Sequence, residues 1–185
     1  MNVGRTWRKP DDYMKQILQI AASAIRQKMG HDGHLRLNVM LPISSDTLEV
    51  VYTFDMDHTE DCDDRLQFRK GCGACGTCWE ILDYVICDLA DASVTYADQW
   101  KMDKYQQRLV RRQLTSLLCV PLFNQKKIRK GGDDPDELRK SFVGVLNIDS
   151  DDDILDGFRK LVQIEDSLAR HCAAMITDRL TVVRE

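Results

Sequence analysis

Phe142-Val-Gly-Val-Leu-Asn-Ile-Asp-Ser150 and, one element earlier, Ser116-Leu-Leu-Cys-Val-Pro-Leu122 are the stretches on which the fold of this chain turns. Both are short runs dense in Val, Leu and Ile, of strand rather than helix length. They predict strands over Leu117–Phe123 and Phe142–Ile148. Between them, Asn124 to Lys140 reads as a charged, mobile connection carrying Gly131-Gly132 and Pro135.

Upstream, Met14, Leu18, Ala21 and Ile25 recur at steps of four, three and four, with Ile17 and Ala24 beside them. That spacing predicts an amphipathic helix over Asp11–Met29, begun at Pro10-Asp11 and stopped at Gly30. From Leu35 to Leu41 the period changes to two. Leu35, Leu37, Val39 and Leu41 share one strand face, and Arg36, Asn38 and Met40 share the other. A break at Pro42–Asp46 and a second strand over Thr47–Phe54 complete a hairpin. An acidic loop, Asp55 to Asp64, holds six carboxylates and Cys62. Its order does not match a calcium loop, and it reads as a solvated connection. Gly71-Cys-Gly-Ala-Cys-Gly-Thr-Cys-Trp79 then turns tightly into a short helix, followed by a strand over Tyr84–Leu89, a loop over Ala90–Lys101 and a polar helix over Met102–Gln113. A long C-terminal helix, from about Asp156, carries the stripe Leu161, Ile164, Leu168, Cys172 and Met175. The order helix, antiparallel strands with short helices between, helix defines an α+β domain with one central sheet.

At 185 residues the chain suits one domain. Twenty-six basic against thirty acidic residues, a net charge of −4, argues against general affinity for nucleic acid or anionic membrane. No apolar run approaches the ~20 residues of a membrane span. The first ten residues carry no signal-peptide core. Seven cysteines, an odd number, do not make a secreted disulfide framework. The expected compartment is the reducing cytoplasm.

Taken in order and spacing, Ser116–Leu122, Phe142–Ser150 and the Gly-rich run from Gly71 to Trp79 resemble a GAF domain. The resemblance covers roughly 35–151 as the core, flanked by an N-terminal helix (11–30) and a C-terminal helix (156–183), with 1–10 as a tail and 11–185 as one domain. It implies a six-stranded antiparallel sheet with helices on both faces and the terminal helices packed together. It also implies a sensory, signal-transducing role of bacterial type, in which a small ligand in a pocket over the sheet biases a partner, often through a homodimer.

Several chemistries compete for this frame. Cys72, Cys75 and Cys78 at two-residue spacing are soft ligands that suit iron, an iron–sulfur cluster or zinc, with a fourth ligand from elsewhere. The alternative use of the run is to supply small residues where the chain turns under the pocket. Gly73-Ala74-Cys75-Gly76 is similar to the Gly-Val-Cys-Gly phrase of free methionine-R-sulfoxide reductases, which share the GAF fold. In that family an attacking cysteine stands where this chain has Thr95-Tyr-Ala-Asp-Gln99. An acidic residue of the family is replaced by Leu117, and one carboxylate of its Asp pair by Asn147 in Asn147-Ile148-Asp149. Nucleophile and polarising groups are therefore absent and no enzyme is expected. Cyclic-nucleotide, bilin and haem signatures are not intact either. Tyr96 and Trp100 lie in a loop over the sheet and are candidate pocket residues together with Trp79 and Cys75, since aromatic side chains commonly line small-molecule sites. Arg108, Arg111 and Arg112 read as a solvated helix face, and Asp149 and Asp151–Asp153 as carboxylates ahead of a helix N-terminus. The expected protein is a non-enzymatic sensory or regulatory domain with a small-molecule ligand, a homodimeric state and an output partner.

Overall fold

Helix α1 (Asp12–Met29) forms where the apolar stripe demands it, and Met14, Leu18, Ala21 and Ile25 are fully buried. The computed structural model describes residues 12–56, 66–91, 96–128, 135–163 and 167–182. After α1 the chain makes β1 (Arg36–Pro42), β2 (Thr47–Phe54), β3 (Gln67–Arg69), α2 (Gly73–Ile81) and β4 (Val85–Asp88). It continues through α3 (Lys104–Leu109), β5 (Ser116–Phe123), a 3₁₀ turn (Gln125–Lys127), α4 (Pro135–Ser141) and β6 (Phe142–Ser150). The chain closes with α5 (Leu155–Val162) and α6 (Leu168–Val182).

The six strands form one antiparallel sheet in the order β3-β2-β1-β6-β5-β4. The two apolar stretches that become β5 and β6 pair with each other, and β6 also pairs with β1. The period-two alternation in β1 sorts the molecule into layers. Leu37, Val39 and Leu41 pack with Leu118, Leu146 and Ile148 under α1, α5 and α6. Met40, on the other face, joins Cys119, Val145 and Phe68 under α2. The sheet is thus covered on both faces, and its helix layer brings α1 against α5 and α6. At the outer end of that contact, the Arg179 guanidinium lies 5.0 Å from the ring centroid of Tyr13.

Three expectations are corrected. The C-terminal helix is two helices rather than one spanning 156–183. α5 ends at Val162, and α6 starts afresh behind Ser167, whose hydroxyl accepts a hydrogen bond from the Arg170 N–H as an N-cap does. The restart shifts the buried stripe of α6 to Ala169, Cys172, Ala173, Ile176 and Leu180, leaving Met175 40% exposed. Ile164 lies outside the described residues. The helix expected over Met102–Gln113 shortens to α3, because Asp103 and Gln106 close a capping box that fixes its start two residues later. The charged connection after β5 contains α4. Pro135 sits at its first position, with Asp136 and Glu137 in the first turn and Arg139 and Lys140 in the last, so the charges complement the helix dipole. Gly131-Gly132, Cys62 and the acidic residues 57–64 lie outside the described residues.

Candidate functional site

On the α2 side of the sheet, strand register lines up polar side chains at its centre. Asn38 of β1 is the direct partner of Asn147 in β6, and Asn147 is the partner of Cys119 in β5. One step along, Arg36 pairs with Asp149 and Asp149 with Leu117. The Arg36 Nε donates to Asp149 Oδ1 at 2.7 Å, with both side chains out of solvent. Asn147 donates from Nδ2 to Asp149 Oδ2 at 3.2 Å. Its Oδ1 accepts from the thiols of Cys75 at 3.4 Å and Cys119 at 3.2 Å, and the two sulfurs are 3.6 Å apart.

A cavity of about 70 Å³ stands over this floor. Its walls are apolar, among them Met40, Val50, Phe68, Leu89, Val110 and Leu117. Asn38, Asn147, Asp149 and Cys75 supply its polar groups, and Tyr96 and Trp100 belong to its cover. The cover is pinned by backbone hydrogen bonds: Gly73 N–H donates to Trp100 O at 2.7 Å and Met102 N–H to Tyr96 O at 2.9 Å. Beneath it, α2 is pressed close to the turn before it. Gly71 and Gly73 adopt positive φ, and a Cβ on Gly76 would lie 2.1 Å from the Arg69 carbonyl oxygen. The tight turn expected of the Gly-rich run is present, made by its glycines.

Of the residues singled out from sequence, Tyr96, Trp100 and Cys75 line the cavity. Trp79 does not. Its ring stacks on Phe142 at 5.3 Å and 5°, with the Lys70 ammonium 5.6 Å from the ring centroid, so it belongs to the packing behind α2. Cys72, Cys75 and Cys78 do not converge. Cys72 reaches Lys101 O at 3.2 Å, Cys75 faces Cys119, and Cys78 is fully buried. Among the described residues no group of three or more His, Cys, Asp or Glu side chains is placed to hold a metal ion, and the triplet expected as iron, iron–sulfur or zinc ligands is not brought together. Burial pushes the thiols of Cys78 and Cys87 far above the ordinary thiol range, and Cys119 likewise, with its contact to Cys75 adding to the effect. Thiols so placed stay protonated and make poor nucleophiles and poor ligands. Asp149 does not serve a helix N-terminus as expected, because the register turns it onto Arg36. Asp151 is instead taken by Arg111 at 2.7 Å.

Asn38 was not legible as a site residue, and Asn147 and Asp149 entered only through the resemblance to the reductases' carboxylate pair. Alternation put Arg36, Asn38 and Met40 on one face, but that β6 lies beside β1 is a fact of topology. The signal available was an arginine and an asparagine within a strand otherwise apolar enough for a core.

No family model matches the chain, and no curated protein does. Solved structures do. A GAF domain/HD domain protein from Geobacter sulfurreducens aligns at TM-score 0.56 and 9% identity over 91% of this chain and 94% of that one. Free methionine-R-sulfoxide reductase from Neisseria meningitidis aligns at TM-score 0.53 and 18% identity over 94% and 80%. The NreA protein of Staphylococcus aureus, solved with a mutated nitrate-binding site, aligns at TM-score 0.51 and 18% identity over 78% and 88%. The GAF domain of a two-component sensor histidine kinase from Bacillus halodurans is also among the matches. The chain has the GAF-like fold, a fold shared by sensory domains and by reductases. Among the described residues, no helix is long and apolar enough to cross a membrane.

Proposed function

We propose that this protein is a non-enzymatic sensory or regulatory domain that binds a small molecule in the cavity beneath Tyr96 and Trp100 and passes the event to its terminal helices. The carrying observation is the cavity itself: apolar walls over a buried polar floor, with Asn38 Oδ1 making no hydrogen bond among the described residues. A buried acceptor left open is costly, and a ligand donor removes that cost. The wall positions also favour binding over catalysis. Leu117 and Asn147 stand where the reductases' resemblance calls for carboxylates, and both line the cavity.

Transmission has a physical route. Asn38 on the cavity side alternates along β1 with Leu37 and Val39, which pack into the α1, α5 and α6 layer. At the end of β6, Ser150 Oγ donates to His34 O at 2.7 Å, and the His34 ring lies 3.7 Å from Asp55 and 3.8 Å from Asp151. These contacts tie the strand that carries Asp149 to the turn leaving α1. Exposed Tyr13 and Ile20 on α1, one heptad apart, and Met175 on α6 supply an apolar surface for a homodimer or an output partner. The functional unit we assign is residues 11–185, acting in the cytoplasm.

A thermal-shift screen of small metabolites tests the reading. A true ligand at about 100 times its Kd stabilises by about 2.7 kcal/mol. Tyr96→Ala and Trp100→Ala should lose that shift while still melting cooperatively. A shift that survives both substitutions places the binding elsewhere and overturns the proposal.

A further inference from the structure

We infer that the cavity is selective for an uncharged head group of the carboxamide type, one N–H donor and one carbonyl acceptor, and discriminates against anions and cations of the same shape. The inference rests on the ligand-binding reading above and adds the chemical class.

Charge excludes the anion. Among the described residues that line the cavity there is no lysine, arginine or histidine, and the charged member is Asp149. An anion entering this apolar space would lose its hydration and meet no uncompensated positive charge, because the floor guanidinium of Arg36 is already held by Asp149. A cation fares little better. The Asp149 carboxylate already holds the Arg36 Nε at 2.7 Å and the Asn147 amide at 3.2 Å, so the floor offers no uncompensated negative charge to offset desolvation.

Hydrogen bonding then specifies the neutral ligand. Asn147 has its oxygen on two thiols and one of its two amide protons on Asp149. Asn38 is 5% exposed, and its Oδ1 has no donor among the described residues. In the cover, the buried Nε1–H of Trp100 has no acceptor among them either. An acceptor in the floor and a donor in the cover call for a ligand with both complementary groups, and a carboxamide carries them on one carbon. The cavity, about 70 Å³, is roughly half of the ~150 Å³ that admits a benzene ring, so the head group has about four heavy atoms.

Acetate, acetamide and acetamidinium share one shape and carry charges of −1, 0 and +1. Four heavy atoms bind with about 6 kcal/mol at best, so each is titrated from about 0.1 to 100 mM. The readout is the Trp100 indole N–H resonance in ¹⁵N-labelled protein, assigned by its loss in Trp100→Phe. Acetamide should shift that resonance saturably, with a Kd at least about tenfold below either ion, about 1.4 kcal/mol. In Asn38→Leu its affinity should fall by a similar factor. The ranking of the three probes in the unsubstituted protein stands whether or not that variant folds. If acetate or acetamidinium binds as well as acetamide, the charge selectivity is wrong while the cavity remains a ligand site. If none of the three moves the Trp100 resonance, this inference and the proposed function fall together.

Discussion

Arg36 and Asp149 show how much one residue pair decides here. An ion pair fully withdrawn from water contributes little net stability, because desolvation consumes most of the attraction, but removing one partner is expensive. Asp149→Ala should therefore cost about 3–5 kcal/mol in chemical denaturation, whereas Arg36→Met with Asp149→Leu should recover most of that loss. Equal losses in the single and double variants would show that the pair is not acting as a unit. The buried thiols make a second prediction. Cys78, Cys87 and Cys119 are held protonated by burial, and Cys172 is pushed up to about 11 for the same reason. An unfolded thiol ionises near pH ~8.5, so the stability these groups contribute is intact below that pH. As pH rises towards the folded values only the unfolded chain releases its protons, and each thiol removes up to about 1.4 kcal/mol per pH unit. Denaturation midpoints between pH 7.5 and 10.5 should fall above pH 9. Cys172→Ala should start lower and fall less steeply; parallel curves would refute the assignment.

At the scale of elements, what the sequence showed and what it hid have separate causes. α1 was legible because four buried residues repeat at helical spacing, and β1 because alternation sorted Leu37 and Val39 from Asn38 and Met40. The α5–α6 break was hidden because the apolar period runs on through it, and the signal that matters is the single hydroxyl of Ser167 taking the Arg170 N–H. α4 was hidden because its residues are charged on most faces and read as loop, although their order suits a helix dipole. The cavity was half legible. Two aromatic cover residues could be named from their place in a loop over the sheet, while the floor required knowing that β1, β6 and β5 lie side by side. The Gly-rich entry to α2 gives an element-level prediction. Gly76→Ala sets a Cβ against the Arg69 carbonyl, which belongs to the backbone and must move, so stability should drop by about 1–3 kcal/mol. Gly157→Ala in α5 meets only the flexible end of Met29, and helix propensity gains about 1 kcal/mol, so it should be neutral or slightly stabilising. Matching denaturation midpoints for the two variants would contradict this reading of α2.

Across the whole molecule, the sheet separates two surfaces. One carries the cavity, α2 and the Tyr96–Trp100 cover; the other carries α1, α5 and α6, with Tyr13, Ile20 and Met175 exposed. The proposed sensing works only if a ligand on the first face prefers one of two arrangements on the second. β1 and β6 are the shared material, since each contributes alternate residues to both layers. The most direct test is hydrogen exchange of the intact protein with and without saturating acetamide. The account predicts slowed exchange not only at 66–76 and 96–117 around the cavity but also in the C-terminal half of α1 and in α6, across the sheet from the bound molecule. Protection confined to the cavity segments, or no change anywhere, would contradict it.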